Sequence, residues 1–151
     1  MLTSLRIKNF KAWKDTGSVR LAPLTVIFGA NSAGKSSLGH LLLVLKQTAL
    51  SVDRRRALHL GDPNTLIDLG TFADCLHGHD TSQALDLDLS WELRSPLEVK
   101  DPLQPSSRFR GDELSLQVSL PADKNGQPLT SLRLKVWLNQ RGFGDQIDRC
   151  W

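Results

Sequence analysis

The stretch Leu24 to Ser37, LTVIFGANSAGKSS, decides the fold. Five apolar or small residues run without interruption into Gly29, as in a buried central strand covered on both faces. Gly29 to Ser36 then fits the pattern GxxxxGK[ST], and from Ser36 to about Ala49 the residues Leu38, Leu41, Leu42 and Leu45 fall at helical spacing. Strand, glycine loop and helix in that order form the context in which this motif holds phosphate. In chains of this length the pattern should arise by chance in well under about 1% of cases.

The chemistry follows from the residue types. A polyphosphate has to be wrapped by backbone whose N–H groups point inward, with no bulky side chain in the way, and Gly29 and Gly34 allow this. The phosphate-binding set is Gly29, Ala30, Asn31, Ser32, Ala33, Gly34, Lys35, Ser36 and Ser37. Lys35 is the catalytic candidate, reaching the β- and γ-phosphate oxygens, and Ser36 supplies a hydroxyl to Mg²⁺. The dipole of the following helix adds to the attraction. ATP and Mg²⁺ are therefore the expected ligands.

Outward from this loop, Leu5 and Ile7 alternate with Arg6 and Lys8, and Val19 and Leu21 follow Gly17, which predicts a short hairpin ahead of the motif. Downstream, a short helix is expected near Phe72 to Leu76. Leu85 to Leu93, Leu114 to Leu120 and Leu132 to Leu138 alternate with period two, the pattern of strands with one buried face. Asp86, Asp88 and Glu92 on one segment and Arg133 and Lys135 on another are expected to pair across strands if the two are neighbours. Ser95 to Gly111 holds Pro96, Pro102 and Pro105 and reads as a long hairpin loop.

Composition sets outer limits. With 151 residues, 40% of them hydrophobic, the chain suits one globular core, divided as a phosphate-loop core over about 1–80 and an antiparallel segment over about 83–140. Nineteen basic against sixteen acidic residues leave a net charge of +3, which permits nucleic-acid binding without arguing for it. Cys75 and Cys150 stand far apart, so neither a disulfide framework nor a thiolate zinc site is expected, and a reducing cytosol suits them. The longest apolar run, Leu41 to Leu45, is too short to span a bilayer, and the N-terminus does not read as a signal peptide.

The segments LRIKNFKAW and LAPLTVIFGANSAGKSSL together resemble the N-terminal part of the ATPase head in structural-maintenance-of-chromosomes, RecF-like and overcoming-lysogenization-defect proteins. LIDLGTFADCLHGHD, Leu66 to Asp80, resembles a segment of bacterial AAA-family ATPases of the same broad group. The resemblance covers roughly the first 95 residues. It implies an α/β P-loop NTPase, specifically the N-terminal lobe of an ABC/SMC-type head with an antiparallel β-subdomain. It also implies work in DNA repair or phage defence, DNA as a candidate partner, and a head-to-head dimer or a complementary C-terminal lobe. An ABC transporter subunit is disfavoured because LRIKNFKAW resembles the non-transport heads.

Two departures from that family matter. Ser32 stands where the group more often has glycine. More seriously, no apolar strand ends in adjacent acidic residues, Asp68 is weakly framed, the family's signature motif and switch histidine are absent, and neither Gln140 nor Gln146 can be assigned as its loop glutamine. The chain is therefore expected to be one lobe of a larger ATPase, a truncated fragment of one, or a nucleotide-binding regulatory module without turnover of its own.

Other constellations are weaker. Cys75, His77, His79 and Asp80 alternate in a way that makes one tetrahedral ion hard to surround, and His40 and His59 stand alone. Arg54, Arg55 and Arg56 could meet DNA phosphates but read more simply as a solvated loop. Phe10 and Trp13 are candidates for stacking on adenine or for the core, with core favoured for Phe10, and Lys11 is a candidate phosphate contact. Trp91 falls on the apolar face of its strand, whereas Trp137 falls on the polar face of its own and would mark a contact surface.

Overall fold

A computed structural model describes residues 1–53, 56–100, 106, 108–129, 133–139 and 149–150. The chain opens with β1 (Leu2–Phe10), β2 (Trp13–Asp15) and β3 (Val19–Arg20), followed by helix α1 (Lys35–Leu50) and the four-residue helix α2 (Phe72–Cys75). A single 3₁₀ turn at His77–His79 leads into β4 (Leu85–Lys100), β5 (Arg108–Leu120), β6 (Arg133–Asn139) and β7 (Arg149–Cys150). Among the described residues the strands make one sheet in the order β2-β1-β4-β5-β6-β7, with β3 also pairing β1, and every pairing is antiparallel.

Period-two alternation puts Leu5 and Ile7 of β1 and Leu85, Leu87 and Leu89 of β4 on one face of this sheet, all nearly inaccessible to solvent. Leu38, Leu41 and Val44 of α1 join the same cluster, as do Phe72, Cys75 and Leu76 around α2. The segment carrying the glycine motif and the alternating strands thus share one core. Trp91 packs against it, as its phase on β4 predicts. Among the described residues no helix is long and apolar enough to cross a membrane.

Three expectations need correcting. Leu24 to Phe28 forms no strand here, and its side chains face solvent, with Leu24 81% and Phe28 88% exposed. A strand apolar on both faces needs neighbours on both edges and a layer on each side; the antiparallel sheet provides neither, because β2 and β3 already occupy the edge of β1. Second, the loop expected over Ser95 to Gly111 is sheet at 95–100 and 108–111, while 101–105 and 107, Pro102 and Pro105 included, lie outside the described residues. β4 runs on to Lys100 and β5 begins at Arg108, with Leu97 opposite Gly111 and Lys100 opposite Arg108. The register shifts between Glu92 and Leu97, so Pro96 falls where the ladder is already interrupted.

The third correction concerns charge pairing. β6 lies against β5 and not β4, so Asp86 and Asp88 do not face Arg133 and Lys135. Their register partners on β1 are instead Lys8 and Arg6, while Ser119 Oγ and Gln117 Nε2 of β5 donate to Asp86 and Asp88 at 2.6 and 2.9 Å. Alternation revealed the polar face, but the neighbour on that face is set by topology.

Candidate functional site

The loop between the apolar run and α1 is stabilised by its own backbone. Ala33 N donates to Ala30 O at 3.3 Å, closing a turn, and Ser37 N donates to Gly34 O at 3.0 Å. Gly34 takes a left-handed conformation (φ 81°, ψ 10°) and begins α1 without any capping side chain. No acidic residue stands in the first turn. The partial positive charge of the helix end therefore has no internal counter-charge, which favours an anion in front of it.

Lys35 bends back over this loop. Its Nζ donates to Gly29 O at 2.8 Å and to Ala30 O at 2.5 Å, so the ammonium lies on the curve of this solvent-accessible loop. Ala30, Asn31, Ser32, Ala33 and Ser36 are exposed, and Ser37 is half-buried. The residues singled out from the motif are thus brought together on one accessible loop and helix start.

Ser32 has φ 63°, in the left-handed region where a Cβ is strained. This explains why glycine suits the position better. Left-handed strain of about 1–2 kcal/mol, less the about 0.5–1 kcal/mol that glycine loses in chain entropy, leaves a net gain for Ser32→Gly. The variant is expected to melt a few degrees higher, about 0.5–1 kcal/mol more stable, in a calorimetric or dichroism melt. A lower melting temperature would mean that the Ser32 side chain stabilises the loop.

The flanking turn supplies the neighbours of this loop. Phe10 is 1% exposed and belongs to the core, which removes it as an adenine platform. Trp13 is half-buried, and its Nε1 donates to Gly34 O at 3.0 Å. Lys11 is held by its backbone, N to Cys75 O at 2.7 Å and O to His77 Nδ1 at 2.9 Å. Neither the Trp13 contact nor this anchoring carries a local sequence signal.

The Cys75 to Asp80 set is engaged elsewhere. Cys75 is buried, and burial pushes its thiol up to about 11. His77 faces the Lys11 carbonyl, His79 the Ala73 carbonyl at 3.2 Å, and Asp80 accepts from Ser82 and Gln83. Asp74 completes a reciprocal cap with Thr71, whose hydroxyl and N–H hold its carboxyl below the usual range. Among the described residues no three such side chains are grouped to hold a metal ion.

His59 is nearly buried with Nε2 3.5 Å from Asp62 Oδ2, and His40 is half-buried on α1. Arg56 pairs with Asp53 at 3.1 Å, while Arg54 and Arg55 lie outside the described residues, as do Gln140, Gln146 and the side chain of Trp137. Asp68 Oδ1 accepts from Gly70 N at 3.0 Å, so this carboxylate closes its own turn. Arg6 donates to both oxygens of Asp15, and this pair, helped by the Gly17 N–H, lowers the Asp15 carboxyl to about 2.

With this geometry in place, residues 1–119 match the family described as the AAA ATPase domain. No curated protein matches the chain. Among solved structures it is similar to one from work on ATP-driven dimerization and DNA stimulated activation of SMC ATPases, at 18% identity over 93% of this chain and 70% of that one, with a TM-score of 0.42.

Proposed function

Because the chain belongs to the AAA ATPase domain family, we propose that it is the ATP-binding lobe of an ATPase head of the chromosome-maintenance, RecF-like and lysogenization-defect group, with Gly29 to Ser37 as its phosphate site. The observation that supports this best is the Lys35 ammonium on the curve of the loop, bound to the carbonyls of Gly29 and Ala30, at the start of a helix with no acidic first turn. Lys35 would move from those carbonyls to the β- and γ-phosphates, the backbone of Ala30 to Gly34 would line the polyphosphate, and the Ser36 hydroxyl would hold Mg²⁺. ATP supplies the phosphoryl group; the residues of this chain bind and orient it.

Hydrolysis needs further groups that place the water and stabilise charge as a unit. Among the described residues no apolar strand ends in adjacent acidic residues, and Asp68 lies in an exposed turn that one of its oxygens closes. We assign those groups to a second lobe. The exposed run Leu24, Val26, Ile27 and Phe28, together with Leu42, Leu43 and Leu50 on the outer side of α1, is the surface such a lobe would cover. A regulatory module that binds ATP without turnover is the second reading, favoured by the same lack of an acidic end on an apolar strand among the described residues. DNA, a head-to-head dimer and a role in DNA repair or phage defence follow from the family resemblance alone.

Two measurements on the purified chain test this. Calorimetric titration with Mg-ATP should give saturable binding; an absence of heat and of any ATP-induced stabilisation would overturn the site. Phosphate release should stay near background. Robust release that disappears in Lys35→Ala would show that this chain already contains the missing groups.

A further inference from the structure

The turn joining β1 to β2 has a backbone that L-residues ordinarily avoid. Asn9 and Lys11 have φ of 55° and 49°, both in the left-handed region, and neither is glycine. Such strain persists only where surrounding contacts over-determine it. Here the Asn9 side chain, 5% exposed, donates to Asp80 O at 3.2 Å and Gln83 O at 2.8 Å and accepts from His77 N at 3.1 Å. Lys11 is fixed at both its N–H and its carbonyl, as described above.

What this anchored turn presents to the phosphate loop is Ala12 and Trp13. A Cβ placed on Gly34 would lie 2.7 Å from Ala12 Cβ and 3.0 Å from Trp13 Nε1, so only glycine lets the two segments approach this closely. The Trp13 indole N–H meets the Gly34 carbonyl at 3.0 Å, and the same carbonyl accepts from Ser37 N.

We infer that Trp13 is a positioning residue for polyphosphate binding, acting through the Gly34–Lys35 peptide; this rests on the reading of Gly29 to Ser37 as a phosphate site. A trans peptide is planar, with its C=O and N–H directed oppositely. Holding the Gly34 carbonyl toward Trp13 therefore directs the Lys35 N–H the other way, out from the helix start and toward the bound anion. The strained turn is the rigid mount for that donor. Its five hydrogen bonds tie the turn, and through Trp13 the phosphate loop, to the segment around Cys75 to Gln83, so the loop need not organise itself when a nucleoside polyphosphate arrives.

Trp13→Phe keeps the ring in place and removes the donor. The variant should stay fully folded and melt only slightly lower, since Trp13 packs at the margin of the core, yet bind Mg-ATP roughly fivefold more weakly, the scale of one lost hydrogen bond. In ¹⁵N-resolved spectra the Lys35 amide should shift in the ligand-free variant. In the wild type the Trp13 indole N–H resonance should move on saturation with Mg-ATP and stay put in Lys35→Ala. Wild-type affinity in Trp13→Phe with an unmoved Lys35 amide overturns the positioning role while leaving the phosphate site intact. A fall in melting temperature that accounts for the lost affinity would make Trp13 a core residue only, and also overturns it. A wild-type chain that binds no Mg-ATP overturns the underlying reading, and the role with it.

Discussion

Lys35→Ala is expected to weaken Mg-ATP binding at least about a hundredfold, because two charge-assisted hydrogen bonds of about 1.5–3 kcal/mol each are lost from the same ammonium. Stability should change little. Lys35 lies at the exposed start of α1, and its present partners, the carbonyls of Gly29 and Ala30, are near solvent and can take water instead. Calorimetric titration of the two proteins, with a melt of each, separates the effects. Equal affinity in the variant would place the nucleotide elsewhere, whereas a large drop in melting temperature would make Lys35 a strut of the loop rather than a ligand to phosphate. Lys35→Arg is informative too: it keeps the charge but replaces a compact ammonium with a broad planar fork, so partial rescue at most is expected.

Much of this site can be read from local sequence because its determinants are local. The glycines, Lys35 and the helical spacing of Leu38, Leu41 and Leu45 lie within one short stretch, and α1 begins at Lys35, where the motif puts it. Period two likewise identified the inward faces of β4 and β5. What local pattern could not supply was the neighbour. Leu24 to Phe28 reads as a buried strand because it is apolar, but burial depends on strands and layers that the described sheet does not offer. Asp86 and Asp88 read as partners of β6, yet β5 intervenes.

The least legible features are those held by contacts distant in sequence. Asn9, within β1, carries no local signal of its role, which is to bind the backbone at three positions between His77 and Gln83 through its amide. Trp13 reads as a stacking or core aromatic, and only the fold reveals its N–H on the carbonyl of Gly34. Pro96 misled for a related reason: it breaks a ladder only where the ladder is continuous, and the register shift there removes the conflict.

Gln47 is the other position where one substitution should have a large effect, this time on the fold. It is 5% exposed on α1, and all of its amide is used: Nε2 donates to His59 O and to Ile67 O, and Oε1 accepts from Ile67 N at 3.2 Å. A single side chain thus ties the polar segment after α1 back to the helix that follows the glycine loop. Gln47→Leu fills nearly the same volume but strands the His59 carbonyl and the Ile67 N–H in or near the core, each costing about 1–3 kcal/mol where water cannot reach it, while the Ile67 carbonyl keeps the Thr65 hydroxyl. A net loss of about 3 kcal/mol in a denaturant titration is expected, since some of these groups recover water. Gln47→Glu refines the test. Its carboxylate can still accept from Ile67 N, but when ionised it faces two carbonyl oxygens, so the folded protein favours the protonated acid and raises its pKa above the ordinary value of about 4.3. The glutamate variant should therefore come closest to wild-type stability at or below about pH 4 and fall away as pH rises through the raised pKa. If both variants match the wild type at every pH, the 59–67 segment is held by its apolar residues, Leu60 and Ile67 among them, and the amide contacts are incidental to stability.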